Sequence, residues 1–279
     1  MRKPESVPAG LAFGEIPNYD GGDRSLSGTS IFDPVLCEIA YRWFCPPGGL
    51  VLDPFAGGSV RGIVAAYLGR RYIGVDLSAR QCEANRAQHE AIIAPGEAGA
   101  EWICGDSRTA LPHCDADFVF SCPPYADLER YSDDPHDIST MAYPAFREAY
   151  FDIIKQSCDR LKPDSFACFV VGEVRDKRGH YLDFIGDTVQ AFRSAGLEYY
   201  NEGILITAVG SLPIRVGRQF SGARKLGKTH QNVLVFVKGS GKRAAARCGP
   251  VEVDESLFDT VVGAEGELTG NLGGLDVAA

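Results

Sequence analysis

The chain has 279 residues, 45% hydrophobic and 23% charged, an ordinary globular composition with enough length for a sizeable core. No apolar run reaches membrane-spanning length, and the start MRKPESVPAG has no apolar segment behind its basic residues, so neither a spanning helix nor a secretory leader is expected and the cytoplasm is the default expectation. The formal charge of −9 argues against a polyanionic partner only until its distribution is read. Seven acids (Glu252, Asp254, Glu255, Asp259, Glu265, Glu267, Asp276) follow Cys248 without one Lys or Arg, leaving −2 for the rest.

The first 28 residues hold scattered Gly and Pro without periodicity and read as an extension. From residue 29 to about 240, strand-like runs alternate with helical patterns, which predicts an α/β fold with a mostly parallel, doubly wound sheet of about seven strands and helices on both faces. GLVLD ends a first strand at Asp53. Beyond its Gly-rich turn, Val60, Ile63, Val64, Tyr67 and Leu68 have the spacing of a buried helix face. RYIGVD is the second strand, with a helix from about Ala79; EWICGD and DFVFS are the third and fourth. Tyr143 to Leu161 reads as a helix with Phe146, Tyr150, Ile153 and Ile154 inward, and Pro163 lies just past its end. SFACFVVG is a strand, Leu182 to Phe192 a helix, and EGILITA and NVLVFVKG the last strands. Residues 211–230 read as a basic loop, and 241–279 as an acidic, disordered tail. None of the nine cysteines forms a CxxC pair, and Cys104 and Cys168 lie inside apolar runs. Reduced core thiols are therefore expected for all but Cys122, with no metal site.

Each of the first three strands ends in an acid, at the sheet edge where doubly wound folds bind ligands. In DPFAGGSVRG, Gly57 and Gly58 let the backbone approach a ligand closely. The segment is not GxGxxG, so a dinucleotide pyrophosphate is not implied. Asp76 is placed to accept hydrogen bonds from ribose hydroxyls, and Asp106 from an adenine amino group. Taken singly, such features are as well explained by tight turns and helix caps; together they suit adenosine with a cationic appendage.

DPFAGGS is similar to the first motif of the DNA amino-methyltransferases, whose usual form is DPFxGxG/S. IFDPVLCEIAYRWFCPPGG resembles the segment that precedes that motif and closes over the methionine moiety; GVDLS resembles the ribose-binding motif and GDS the adenine-binding one. The resemblance spans roughly Ser30 to Lys238. It implies a Rossmann-like methyltransferase fold, S-adenosylmethionine as cofactor, and a cofactor site built from Ser30, Phe32, Asp53, Pro54, Phe55, Ala56, Gly57, Ser59, Asp76, Leu77, Asp106 and Ser107.

The fourth strand runs into SCPPYADLERYSDDP, which resembles the family's target-amine motif, normally Asp, Asn or Ser followed by Pro-Pro-Tyr/Phe. An exocyclic amine delocalises its lone pair into the base and is a poor nucleophile. Two acceptors that take both N–H bonds favour a pyramidal nitrogen, a geometry of the transition state. The resemblance gives these acceptors as the first motif residue and the carbonyl of Pro123. Pro123 and Pro124 make a stiff turn, and Tyr125 offers a flat face to a base flipped out of duplex DNA. This sequence departs from the family at Cys122, a weak acceptor; Ser121 takes the role if the turn is shifted by one residue. Cys122 as a nucleophile for C5 methylation is the weaker reading, because that chemistry uses a Pro-Cys pair and the order here is reversed.

With no separate recognition domain, the basic stretch is the candidate DNA contact: Arg215, Arg218, Arg224, Lys225 and Lys228 fall in fourteen residues without an acid, interleaved with Phe220. A solvated connector is the plain alternative. The expected activity is N4-cytosine or N6-adenine methylation of DNA, with a homodimer left open. An RNA or protein-glutamine amino-methyltransferase and a non-catalytic DNA- or cofactor-binding relative are the rivals.

Overall fold

Strands that read as continuous apolar runs and alternate with helices pack into a sheet buried on both faces. The computed structural model describes residues 31–125, 131–206 and 212–251, with backbone alone for 212–215. The N-terminal extension, Ser30 and the acidic residues beyond 251 lie outside the described residues. The strands are β1 (Leu50–Asp53), β2 (Arg71–Asp76), β3 (Ala100–Cys104), β4 (Ala116–Ser121), β5 (Leu161–Val171), β6 (Glu198–Ile206) and β7 (His230–Lys238). The helices are α1 (Pro34–Phe44), α2 (Val60–Tyr67), α3 (Ala79–Ile92), α4 (Ser107–Ala110), α5 (Tyr143–Arg160), α6 (Phe184–Ser194), α7 (Leu212–Ala223) and α8 (Gly241–Cys248).

The seven strands form one sheet in the order β3-β2-β1-β4-β5-β7-β6. β7 runs antiparallel to both β5 and β6, and the other pairs are parallel. This is the expected Rossmann-like methyltransferase fold. Side chains alternate between two apolar layers. On one face Leu52, Val119, Phe169 and Phe236 pack with Phe146, Tyr150, Phe184 and Phe192 of α5 and α6. On the other, Val51, Phe118, Phe120 and Val170 pack with Cys37 and Tyr41 of α1 and Ala244 of α8. The Phe192 ring stacks on Phe236 at 4.0 Å between centroids. Truncating a ring so placed costs about 3–5 kcal/mol.

Four expectations are corrected. The basic stretch is not a loop throughout: Leu212–Ala223 is helical, with Pro213 in the first turn and Arg224 closing the end at φ 54°. Its two interior glycines hid the pattern. Second, residues 241–248 belong to the fold rather than to a disordered tail. Ser240 caps α8, and Arg247 reaches Asp117 at 2.6 Å and the Ser165 hydroxyl. Third, α2 buries Arg61, Gly62, Ile63, Ala65 and Ala66, while Tyr67 is exposed. The small residues let α2 lie close to the sheet: a Cβ on Gly62 would stand 2.4 Å from the Trp102 ring. Last, Cys104 is exposed, because β3 is an outer strand of the sheet.

Asp117, at the foot of β4, joins these parts by accepting from Leu50 N at 3.0 Å, Lys162 Nζ at 2.8 Å and Arg247 Nη2 at 2.6 Å. Burial would raise its pKa, but the bonds and charges of Lys162, Leu50 and Arg247 outweigh burial and hold the carboxyl below its ordinary value. A depressed folded-state pKa gives stability that is present above the unfolded pKa, about 3.9, and lost as pH falls through the folded one. Asp117→Asn is expected to cost about 1–2 kcal/mol at neutral pH, as both cations are partly solvated. Denaturant titrations of wild type and variant should converge below about pH 4; a constant gap down to pH 2 would remove this ion cluster as the cause.

Candidate active site

Neighbouring β1 and β4 send the chain away in opposite directions, which opens a crevice beyond their C-terminal ends. β1 ends in Asp53 and β4 in Ser121, and the two side chains meet there. Ser121 Oγ donates to Asp53 Oδ1 at 2.5 Å, and Phe55 N reaches the same oxygen at 3.1 Å. Asp53 Oδ2 accepts from Arg61 Nε at 2.6 Å and Tyr72 OH at 2.7 Å. Asp53 and Ser121 are fully buried and Arg61 is 4% exposed. Burial alone would favour a neutral Arg61, but the charge of Asp53 overrides it and raises the guanidinium pKa. Burial, and then Asp53, push the Tyr72 hydroxyl well up, so it stays a donor. Asp53, expected at the cofactor, is thus a brace inside the protein.

The brace sets the loop after β1. Arg61 Nη2 donates to the carbonyls of Phe55 at 2.6 Å and Ala56 at 2.9 Å, and Ala56 N donates to Val75 O at 3.0 Å. Gly57 has φ 51°, its N–H meets Asp76 Oδ2 at 2.9 Å, and its carbonyl takes Asn85 Nδ2 at 2.7 Å. An added Cβ on Gly57 or Gly58 would find no atom within 4 Å, so the loop presents bare backbone to open space. Asp76 Oδ1 accepts from Ser78 N at 2.8 Å. With one such donor per oxygen, its remaining lone pairs are available. Burial raises Asp76 above the ordinary carboxylate range, against the pull of the Ser78 and Gly57 amides. Leu77 next to it is half-buried.

The other expected cofactor residues divide in role. Ser107 Oγ donates to Pro54 O at 2.6 Å and Ser59 Oγ to Gln88 at 2.5 Å, so both hydroxyls fasten the loop. Phe55 packs against Tyr150 and Phe169, and the Phe32 ring lies edge-on to Phe120 with the Arg61 guanidinium 4.7 Å from its centroid. Asp106 caps α4, and both its oxygens are taken by Arg108, at 2.6 to 3.0 Å. Burial opposes ionisation of Asp106, but Arg108 outweighs it and holds the pKa low. An adenine amino group would have to displace one of the Arg108 bonds.

Beyond β4, Cys122 is half-buried and Pro123 buried, with Pro124 and Tyr125 partly exposed. Cys122 Sγ lies 3.7 Å from Tyr125 OH. Gln231 Nε2, on β7, donates to that hydroxyl at 2.5 Å, and the Tyr125 ring meets Phe184 edge-on at 6.1 Å. Ser121 is fully buried and its hydroxyl donates to Asp53, whereas Cys122 is half-buried at the start of the Pro-Pro turn.

The basic residues lie at this same sheet edge, since α7 connects the end of β6 to the start of β7, where Asn232 pairs with Val171 at the end of β5. Arg218, Arg224 and Lys228 are exposed and Lys225 is half-buried; the Arg215 side chain lies outside the described residues. Sequence reasoning missed Arg61, Tyr72, Asn85 and Gln231. An arginine between Val60 and Gly62 in an otherwise apolar helix was the one available signal, for Arg61.

The sequence model of the family described as DNA methylase (N6_N4_Mtase) matches residues 38–87. Comparison with curated proteins gives no match. Among solved structures, TrmN from Thermus thermophilus is similar at 16% identity and a TM-score of 0.46, over 74% of this chain and 49% of that one. This chain therefore spans about half the length of TrmN. Magnesium protoporphyrin IX methyltransferase (ChlM) from Synechocystis PCC 6803, with bound SAM, is similar at 12% identity and 0.47, over 74% of this chain and 76% of that one. An rRNA methylase from Streptococcus thermophilus is similar at 10% identity and 0.47, over 76% of this chain and 100% of that one.

Breaking the brace from the two sides should have unequal effects. Ser121→Ala removes one donor of four and is expected to cost about 1–2 kcal/mol. Arg61→Met strands a buried carboxylate and is expected to cost about 3–5 kcal/mol. Urea midpoints measure both; equal losses would mean that Arg61 contributes no more to the brace than a single hydroxyl.

Proposed function

We propose that the chain is a methyltransferase that transfers a methyl group from S-adenosylmethionine to the exocyclic amine of cytosine (N4) or adenine (N6) in DNA. The observation that carries this reading is one contact: Ser121 on Asp53 ties the glycine loop at the end of β1 to the Cys-Pro-Pro-Tyr turn at the end of β4. A cofactor cradle and an amine-binding turn thus share one crevice at the switch point. The family match at residues 38–87 falls on the cradle half and supports the same reading.

The residues fit the cofactor by chemistry. Bare backbone at Gly57 and Gly58 admits a ligand closely, and Asp76 retains acceptor capacity for ribose hydroxyls. Phe32, Phe55, Leu77 and the Asp106–Ser107 turn border this cradle. When bound, S-adenosylmethionine supplies an electrophilic methyl group. The protein's part is to hold the acceptor amine. The carbonyl of Pro123 and the sulfur of Cys122 take its two N–H bonds, and the stiff Pro123–Pro124 pair fixes both acceptors before the base arrives. Tyr125, anchored at its hydroxyl by Gln231 and at its ring by Phe184, gives the extruded base a face to stack on. Arg218, Arg224, Lys225 and Lys228, with Arg215, supply positive charge for the DNA backbone.

Two expectations follow. Asp76→Ala should weaken S-adenosylmethionine binding by about 1.5–3 kcal/mol, roughly 10- to 150-fold. Titration calorimetry checks it, and wild-type affinity in the variant would remove Asp76 from the cofactor site. The second concerns the product. Nucleosides from DNA of cells expressing the protein, analysed by mass spectrometry, should contain N4-methylcytosine or N6-methyladenine. Cys122→Ser should keep or raise that yield, and Cys122→Ala should lower it about 2- to 10-fold, because the Pro123 carbonyl remains. A C5-methylated product abolished by both changes would make Cys122 a nucleophile instead. Methylation found in RNA and not in DNA would overturn the substrate.

A further inference from the structure

We propose that the turn Arg175–Tyr181, which follows β5, is a second phosphate-contact element that acts with Lys225 and Lys228 to grip the DNA backbone beside the active site. The proposal rests on the reading of the protein as a DNA methyltransferase and adds to it a recognition element at sequence positions away from the basic stretch.

The turn is a closed unit. Arg175 and Tyr181 form an antiparallel bridge, Asp176 N donates to His180 O at 2.8 Å, and Gly179 N donates to Asp176 O at 2.8 Å. Asp176 Oδ1 accepts from His180 N, and Arg175 Nη1 donates to Gly179 O, both at 2.8 Å. A unit held this way keeps its outward side chains in place: Lys177, Arg178, His180 and Tyr181 are all exposed.

Two cations from the stretch after α7 then converge on it. Lys225 lies against Gly179 so closely that a Cβ there would come within 2.0 Å of Nζ, and Gly179 also has φ 89°. The positive φ favours glycine here, and the absent Cβ leaves room for the Lys225 side chain. Lys228 Nζ lies 4.9 Å from the centroid of the Tyr181 ring and the Arg175 guanidinium 3.8 Å from it. Asp176, the acid within the turn, pairs with Arg178 at 3.1 Å and approaches His180 at 4.0 Å. Among the described residues, no carboxylate lies within ion-pair distance of Arg175, Lys225 or Lys228. Arg175 and Lys228, from two segments, share the exposed Tyr181 ring, with Lys225 beside them at Gly179; three like charges so close without a counter-charge repel each other and favour an anionic partner.

Position identifies the partner. The turn begins just beyond Gly172, where a Cβ would lie 3.7 Å from the Tyr125 ring, so the cations stand at the same sheet edge as the catalytic turn. A duplex that delivers one base to Tyr125 carries its phosphates past this point at a spacing of a few ångströms. Tyr181, 43% exposed, presents a flat face to sugar or base along that path.

The test uses the full chain and a duplex DNA oligonucleotide, with affinity measured from low to moderate salt. The Lys177→Ala/Arg178→Ala variant should bind more weakly, with the slope of log affinity against log salt reduced by about one to two units. Lys177→Glu alone should weaken binding further than Lys177→Ala. S-adenosylmethionine affinity, unchanged in both, marks an intact fold. If wild type binds DNA and its salt slope survives in both variants, the turn is not a contact and the methyltransferase reading stands. If wild type neither binds nor methylates DNA, that reading fails and the proposal with it. Tighter, turn-dependent binding of duplex RNA would overturn DNA as the partner.

Discussion

A carboxylate cut off from water needs its donors from within the protein, and Asp53 receives four: Phe55 N, Arg61, Tyr72 and Ser121. They come from the loop after β1, from α2, from β2 and from the end of β4. Burying both members of an ion pair is expensive, and hydrophobic side chains of the same size could fill the space at no greater cost to stability. What apolar packing would not give is direction. A carboxylate with two donors on each oxygen admits one arrangement of the four segments, and those segments carry the glycine loop and the Cys-Pro-Pro-Tyr turn. The Arg61 guanidinium extends the constraint by holding the Phe55 and Ala56 carbonyls, which leaves Gly57 and Gly58 facing the crevice.

This division of labour explains what was legible in the sequence and what was not. Apolar runs, the acids that end them and the glycines of DPFAGGS have local causes: a strand buried on both faces must be apolar throughout, and a backbone that meets a ligand must lack Cβ. The strands in chain order and a ligand crevice at their C-terminal ends followed from these; the order within the sheet did not. The brace has no local signature. Arg61, Tyr72 and Ser121 are distant in sequence, and each alone is an unremarkable residue of a helix or strand. Their joint role exists only once β1, β2 and β4 are adjacent. The inward turn of Asp53 was hidden for the same reason, since an acid at a strand end looks alike whether it turns toward the crevice or into the core. Gln231 on Tyr125 likewise joins residues far apart in the chain.

Patterns weakened by glycine and charge were the other source of error. Gly217 and Gly222 interrupt α7, and α8 reads GKRAAARC, which has the composition of a solvated tail. α8 is helical because Ser240 caps it, Asp164 accepts from Arg243, and Arg247 binds Asp117, Asp164 and Ser165 at the opposite sheet edge from the crevice. Its ordering depends on tertiary partners rather than on propensity. The consequence is a sheet whose two ends do different work. One is closed by ion pairs around Asp117, and the other carries glycines, prolines and, among the described residues, cations such as Lys225 and Lys228 without an ion-pair partner.

The departure at Cys122 takes its meaning from that open end. A serine at position 121 looks, in sequence, like a substitute for the missing family acceptor one residue on. In the structure its hydroxyl belongs to Asp53, and moving it into the crevice would leave the buried carboxylate one donor short. Under the proposed function, sliding the turn to bring Ser121 into the crevice would loosen the brace that positions the turn. Two constraints, a rigid frame and a good acceptor, compete for adjacent residues, and the frame has the stronger claim because four segments depend on it. In the proposed reaction, Cys122, close to the Tyr125 hydroxyl, would take a weak acceptor's share of the amine, and the Pro123 carbonyl, which no substitution can remove, would carry the larger part.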